Sequence, residues 1–194
     1  MSAICILTAN CLSVALGQNA PSHAAPANQD SSILQDFSDR VDSYLKLRKK
    51  LQADVPLPKT KDSADKIKQS QISLAERIRT ARSQAKQGDI FTPQISELFK
   101  KLIAAPLKGA NGAKIQVSLR DAERERPVNL GVNQSYPGGR ALPSPPPTLL
   151  MDLPKLPHEL EYRIIGRQLV IRDSVPNLIV DFLPDALPAT QAGP

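Results

Sequence analysis

The sequence has no tryptophan, two cysteines, two histidines and few aromatic residues, only 4% of its 194 positions. Each shortage excludes something. Without tryptophan and with few large rings, the core must be aliphatic, and a deep multi-layered enzyme is not the expected architecture. Cys5 and Cys11 both lie in the first 29 residues, so removal of that segment would leave no thiol. Disulfides, cysteine nucleophiles and thiolate metal sites would then vanish together.

The first 29 residues also lack every Asp, Glu, Lys and Arg, and Asp30 opens a densely charged region. Ala3 to Gly17 matches the apolar core of a secretory signal and falls short of the roughly 20 residues that span a bilayer. Ala15-Leu16-Gly17, Ser22-His23-Ala24 and Ala25-Pro26-Ala27 each place small side chains where a signal peptidase reads them. No basic residue precedes the apolar run, which a start codon assigned too far downstream would explain. A lipid attached at Cys11 is a poor match, because Thr8-Ala9-Asn10 precedes it. The expectation is a periplasmic or secreted protein with no transmembrane span.

Lysine and arginine outnumber acids by 25 to 19, a net charge of +6. The excess sits in residues 30–101, with fifteen basic and ten acidic side chains interspersed. That pattern describes a solvated helix surface more than a polyanion-binding face.

Leu34, Phe37, Val41, Tyr44, Leu45 and Leu51 recur at three- and four-residue intervals, which predicts a helix from Asp30 to about Ala53. Ser32 and Gln35 resemble a capping box, and Pro56 and Pro58 end the element. A second helix is expected from Ser63 to Gln87, with Asp62 as N-cap, a stripe of Ala64, Ile67, Leu74, Ile78, Ala81 and Ala85, and Gly88 at its C-terminus. The short connection makes the pair an antiparallel hairpin. Thr92-Pro93 starts a third helix that buries Ile95, Leu98, Phe99, Leu102 and Ile103 and that Pro106 closes. Residues 107–125 fit helix or strand, with helix preferred.

Eight of the 18 prolines lie in residues 127–157, and Leu142 to Pro147 should be extended chain. Leu160–Ile165, the Gly166-Arg167 turn and Gln168–Arg172 read as a β-hairpin, with Leu178–Leu183 as a third strand or, alternatively, part of a helix after Asp173. The expected fold class is α+β: a helical hairpin plus third helix over residues 30–105, a Pro-rich connector over 106–157, and a β-meander over 158–187 packed on the helices. Residues 1–29 form the leader and 188–194 a tail.

The stretches Gln84 to Pro93, Asn133 to Pro137, Leu160 to Arg167 and Leu178 to Phe182 together resemble a group of uncharacterised exported bacterial proteins. The resemblance covers most of the mature chain and implies export and a single folded unit. It carries no activity.

No catalytic, cofactor or metal site emerges from the residues. His23 lies in the leader, and His158 stands between prolines and a strand, with no nucleophile elbow anywhere. Glu159 and Glu161 would share a strand face as an exposed acidic edge, and Asp181 interrupts an apolar strand. As a strand residue it either faces outward or accepts hydrogen bonds from a turn. Pro137-Gly138-Gly139-Arg140 is a turn, lacking phosphate-loop spacing. Arg79, Arg82 and Lys86 share a helix face but have no aromatic platform, so nucleic acid is not an expected partner.

Three functions compete. The leading one is a non-enzymatic interaction protein that binds an unidentified protein or envelope component. The second is a hydrolase or lyase in which Asp181, Glu161 and Arg163 converge at the sheet. The third is an electrostatic binder of anionic envelope surfaces.

Overall fold

The computed structural model describes residues 26–55, 63–123, 129–136 and 145–188. The expected signal segment, Asp62, the Pro137–Arg140 turn and the last six residues lie outside these. Among the described residues, five helices precede three strands, which is the α+β arrangement expected from the sequence.

Helix α1 spans Pro26–Gln52, about 40 Å at 1.5 Å per residue. It starts four residues inside the charge-free leader, so the Ser32–Gln35 capping box does not form: Ser32 Oγ instead donates to the carbonyl of Gln29, within the helix. Its buried stripe is Phe37, Val41, Tyr44 and Arg48, each three or four residues from the last.

Helix α2 spans Ala64–Ala81, capped by the Ser63 hydroxyl, which accepts from the Lys66 N–H. It ends six residues earlier than the periodicity implies. Only Leu74, Ala75 and Ile78 are buried, while Ala64 and Ala81 are exposed. Gly88 is therefore no helix cap. It lies in the following loop at φ +93°, a conformation that favours glycine. The helical pattern from Ser83 to Gln87 yields because neighbouring segments claim this loop's backbone, as described below.

Thr92 and Pro93 start helix α3, Pro93–Lys108, as their order implies: Thr92 Oγ1 accepts from the Ile95 N–H at 3.4 Å. Pro106 does not close it. The helix continues to Lys108, because Leu107 is buried in the core and holds the last turn in place.

Helix α4, Gly112–Glu123, occupies part of the segment expected as connector and settles the ambiguity at 107–125 in favour of helix. Ile115 and Leu119, four apart, are buried, while Val117, which a strand would place beside Ile115, is 60% exposed. Gly112 permits the sharp turn into it, since a Cβ there would stand 2.0 Å from the carbonyl oxygen of Leu107. A single helical turn, α5, follows at Pro147–Leu150 and buries Leu149; Pro147 is thus helical, not extended.

Strands β1 (Leu160–Ile165), β2 (Gln168–Asp173) and β3 (Leu178–Leu183) form an antiparallel meander in the order β1-β2-β3. Gly166, at φ +57°, leads the two-residue turn between the first two. One sheet face, with Leu160, Ile164, Leu169, Ile171, Leu178 and Leu183, joins the helix stripes in the main core. Phe37, Phe91 and Phe99 meet there with centroids 4.8 to 6.1 Å apart, so three of the four phenylalanines form one cluster. The second face carries Ile165, Val170 and Ile179 under Leu130 and Tyr136. Those two residues belong to segment 129–136, which pairs with the outer edge of β3 through Asn133, Gln134 and Tyr136.

Candidate functional site

Asp181 is fully buried on β3. Ile171 opposes Asp181 and Arg172 opposes Ile179, so Val180 is an extra residue and the strand bulges. The bulge breaks the alternation: Val180 packs in the main core, and Asp181 follows it toward the loop after α2 rather than to the second face.

Its carboxylate collects four backbone N–H donors. Gly88 and Phe182 donate to Oδ1 at 3.0 and 2.8 Å, and Ile90 and Phe91 to Oδ2 at 2.7 and 2.8 Å. Burial pushes the carboxyl up, and these donors, which favour the ionised form, oppose the push. Four donors occupy the acceptor capacity of one carboxylate. No lone pair remains for a substrate proton, and the reading of Asp181 as a turn-binding acceptor is the one the geometry bears out.

Asp173, at the end of β2, is the second fully buried carboxylate. Tyr44 donates to its Oδ2 at 2.8 Å and Arg48 Nε at 2.7 Å, while the Val175 N–H reaches Oδ1 at 3.3 Å. Burial raises this carboxyl too, against the attraction of Arg48 and the hydrogen bonds it accepts. Burial, the charge of Asp173 and its hydrogen bond together hold the Tyr44 phenol far above its ordinary range. Arg48 also donates to Gln52 Oε1. The group fastens α1 to the sheet.

Arg79 and Arg82 do not form an exposed basic stripe with Lys86, which lies beyond the helix. Arg79 donates to the carbonyl of Asn133 and to Ser135 Oγ. Arg82 donates to Asn133 Oδ1 and the Val180 carbonyl, and lies 5.0 Å from the centre of the Tyr44 ring. Asn133, held at φ +64°, returns a bond from Nδ2 to the Arg82 carbonyl. Both arginines bind the segment that covers β3.

Glu161 and Arg163 face away from Asp181, on the second side of the sheet. Glu161 accepts from Arg163 Nη2 at 2.5 Å and from Arg172 Nη1. Burial works to raise its carboxyl, but these two guanidinium groups outweigh it and hold the pKa below the usual glutamate range. The hydrogen bond that Arg163 donates to Glu161 in turn raises the Arg163 pKa. Arg172 lies 5.0 Å from the centre of the Tyr136 ring. The sheet thus separates the three residues whose convergence a carboxylate–arginine enzyme needs. The His158 side chain is 92% exposed, with Nδ1 3.3 Å from Glu159 Oε2. Among the described residues, no three His, Cys, Asp or Glu side chains cluster as metal ligands do, and no helix is long and apolar enough to cross a membrane.

The Tyr44–Arg48–Asp173 group escaped sequence reasoning, although a signal existed: Arg48 falls on the Phe37-Val41-Tyr44 stripe, where a buried charge demands a partner. Beside it runs an open groove of about 1100 Å³ along the C-terminal half of α1. Leu45, Ala53 and Val55 give it apolar lining, and Asp42, Asp54, Glu159, Lys46 and Lys49 give it charges of both signs beside Arg48, whose guanidinium is committed to Asp173. No protein-family model, curated protein or solved structure matches the chain.

Proposed function

We propose that the chain is an exported, non-enzymatic interaction protein that takes a segment of another envelope protein into the groove along α1. The observation that carries the reading is the groove's lining, apolar at Leu45, Ala53 and Val55 and charged with both signs at Asp42, Asp54, Glu159, Lys46 and Lys49. Such a surface suits a peptide with charges of both signs and apolar anchors. It suits an anionic lipid or wall polymer less, because a polyanion is drawn by a field of one sign.

The buried polar groups favour binding over turnover. Asp181 and Asp173 are occupied by donors from their own chain, and Arg79 and Arg82 by the segment over β3. Export draws on the charge-free leader and on the resemblance to exported bacterial proteins.

The test is a pull-down from envelope extracts with the purified protein and with Leu45→Asp and Lys46→Glu variants, partners being identified by mass spectrometry. A partner retained by the parent chain and lost from both variants is expected. Recovery of nothing above background, or of the same partners by all three, rejects the reading. Mass spectrometry of the protein from fractionated cells tests compartment independently.

A further inference from the structure

We infer that the corner where α3 meets α4 docks on an anionic membrane surface, through Lys101, Lys108 and Lys114 and with Val117 as an apolar contact.

The sequence marks this corner by sign. From Leu98 to Arg120 the chain carries Lys100, Lys101, Lys108, Lys114 and Arg120 and not one acid. The fold brings no acid to them. The ion pairs between described residues lie elsewhere: Arg40 with Asp36, Arg77 with Asp54, Arg48 with Asp173, and the arginines of the sheet and its turn with Glu161 and Asp185. Among the described residues, no carboxylate pairs with Lys100, Lys101, Lys108 or Lys114. Cations of one sign with no acid among them raise a local positive field.

Both helices turn these cations outward. Helix α3 buries Ile95, Phe99, Ile103 and Leu107, while Lys101 and Lys108, two turns apart, are exposed on the opposite side. Glu97, one turn before Lys101, bounds the patch. Helix α4 packs against α3, buries Ile115 and Leu119, and exposes Lys114, Val117 and Ser118. Lys108 and Lys114 thus flank the exposed turn Gly109-Ala110-Asn111. Val117 is 60% exposed, and Met151, at the end of the α5 turn that packs against α3, is 76% exposed. These are the two most exposed large apolar side chains among the described residues.

An exposed valine alone is ordinary. Beside unpaired lysines it fits the boundary of a bilayer, where apolar side chains enter and cations meet lipid phosphates. A nucleic acid would use the lysines and leave Val117 idle, and neither helix exposes an aromatic ring on which bases stack. The groove on α1 carries charges of both signs, so the two surfaces take different partners and this inference stands apart from that reading.

The test is flotation of the full chain with vesicles of phosphatidylcholine alone and of phosphatidylcholine mixed equally with phosphatidylglycerol. Binding to the second and not to the first is expected, weakening as salt rises. Lys101→Ala, Lys108→Ala and Lys114→Ala should each lower the affinity about five-fold, the weight of one cation near an anionic bilayer. Val117→Ser should lower it by a factor that salt leaves unchanged. Lys50→Ala and Lys68→Ala, which remove the same charge from exposed positions on α1 and α2, should lower it far less. A parent chain that stays off the anionic vesicles overturns the inference, and that measurement needs no substitution. Equal losses from the α1, α2 and corner variants also overturn it, because net charge alone would then explain binding. So does tighter binding to duplex DNA than to the vesicles, which would make the corner a nucleic-acid surface.

Discussion

Arg48 Nε donates to Asp173 Oδ2 at 2.7 Å across 125 residues of chain, and both side chains are buried, at 6% and 0% exposure. Removing one partner strands the other charge in the core, and breaking such a pair costs about 3–5 kcal/mol. Asp173→Ala and Arg48→Ala should each lose stability of that order in urea unfolding. Arg48→Met combined with Asp173→Leu should lose clearly less than the sum, since apolar replacement of both halves of a buried pair is often tolerated. Additive losses would show that the two residues do not act as a unit.

Asp181 makes a separate prediction because its partners are backbone groups. Asp181→Ala leaves the N–H groups of Ile90 and Phe91 buried without an acceptor, at about 1–3 kcal/mol each. Asp181→Asn keeps the shape but turns an NH2 group toward donors, so it should rescue little. Gly88→Ala should destabilise by about 1–2 kcal/mol through its left-handed backbone alone, since the space beside it is ample. The amides of residues 88–91 should lose exchange protection in the first two variants. Unchanged protection there would show that the loop holds its shape without the carboxylate.

These anchors mark where the sequence stopped being legible. The strands and their turn are legible because β1 alternates with period two, β2 and β3 are short apolar runs, and Gly166 is a local turn signal. Thr92-Pro93 was legible for the same reason. The end of α2 was not. Nothing between Ser83 and Gln87 breaks a helix, and the chain turns there because Asp181, 93 residues away from Gly88, collects the loop's N–H groups and Asn133 takes the Arg82 carbonyl. The continuation of α3 through Pro106 likewise depends on burial of Leu107. As for the candidate site, sequence supplied the charges on α1, but the groove exists only once Glu159 and Val55 are brought beside them.

Glu161 predicts the acid limb of the stability curve. Its pKa is lower folded than unfolded, so the unfolded chain binds its proton first as pH falls. The contribution is complete above the unfolded glutamate value, about 4.3, and is lost as pH descends through the folded value. As pH falls below about 4.3 the urea midpoint of the parent protein should therefore drop relative to that of Glu161→Gln, the raised carboxyls of Asp173 and Asp181 acting with the opposite sign on both proteins alike. Parallel curves for the two proteins would remove Glu161 from the account.

Helix α4 offers a sharper test of the fold, since its residues are compatible with strand as well. In a helix, Ile115 and Leu119 share a buried face while Val117 points outward; in a strand, Ile115, Val117 and Leu119 would line one face together. Val117→Lys should then change stability by less than about 0.5 kcal/mol, as exposed substitutions do. Ile115→Ala should cost about 2–5 kcal/mol, because it opens a cavity in a core that Leu107 and Leu119 share. Gly112→Ala should be as damaging as the core substitution even though it adds a single methyl group, since the Leu107 carbonyl occupies the place that group would take. A tolerant Gly112 together with a sensitive Val117 would contradict both the helix and the turn that introduces it.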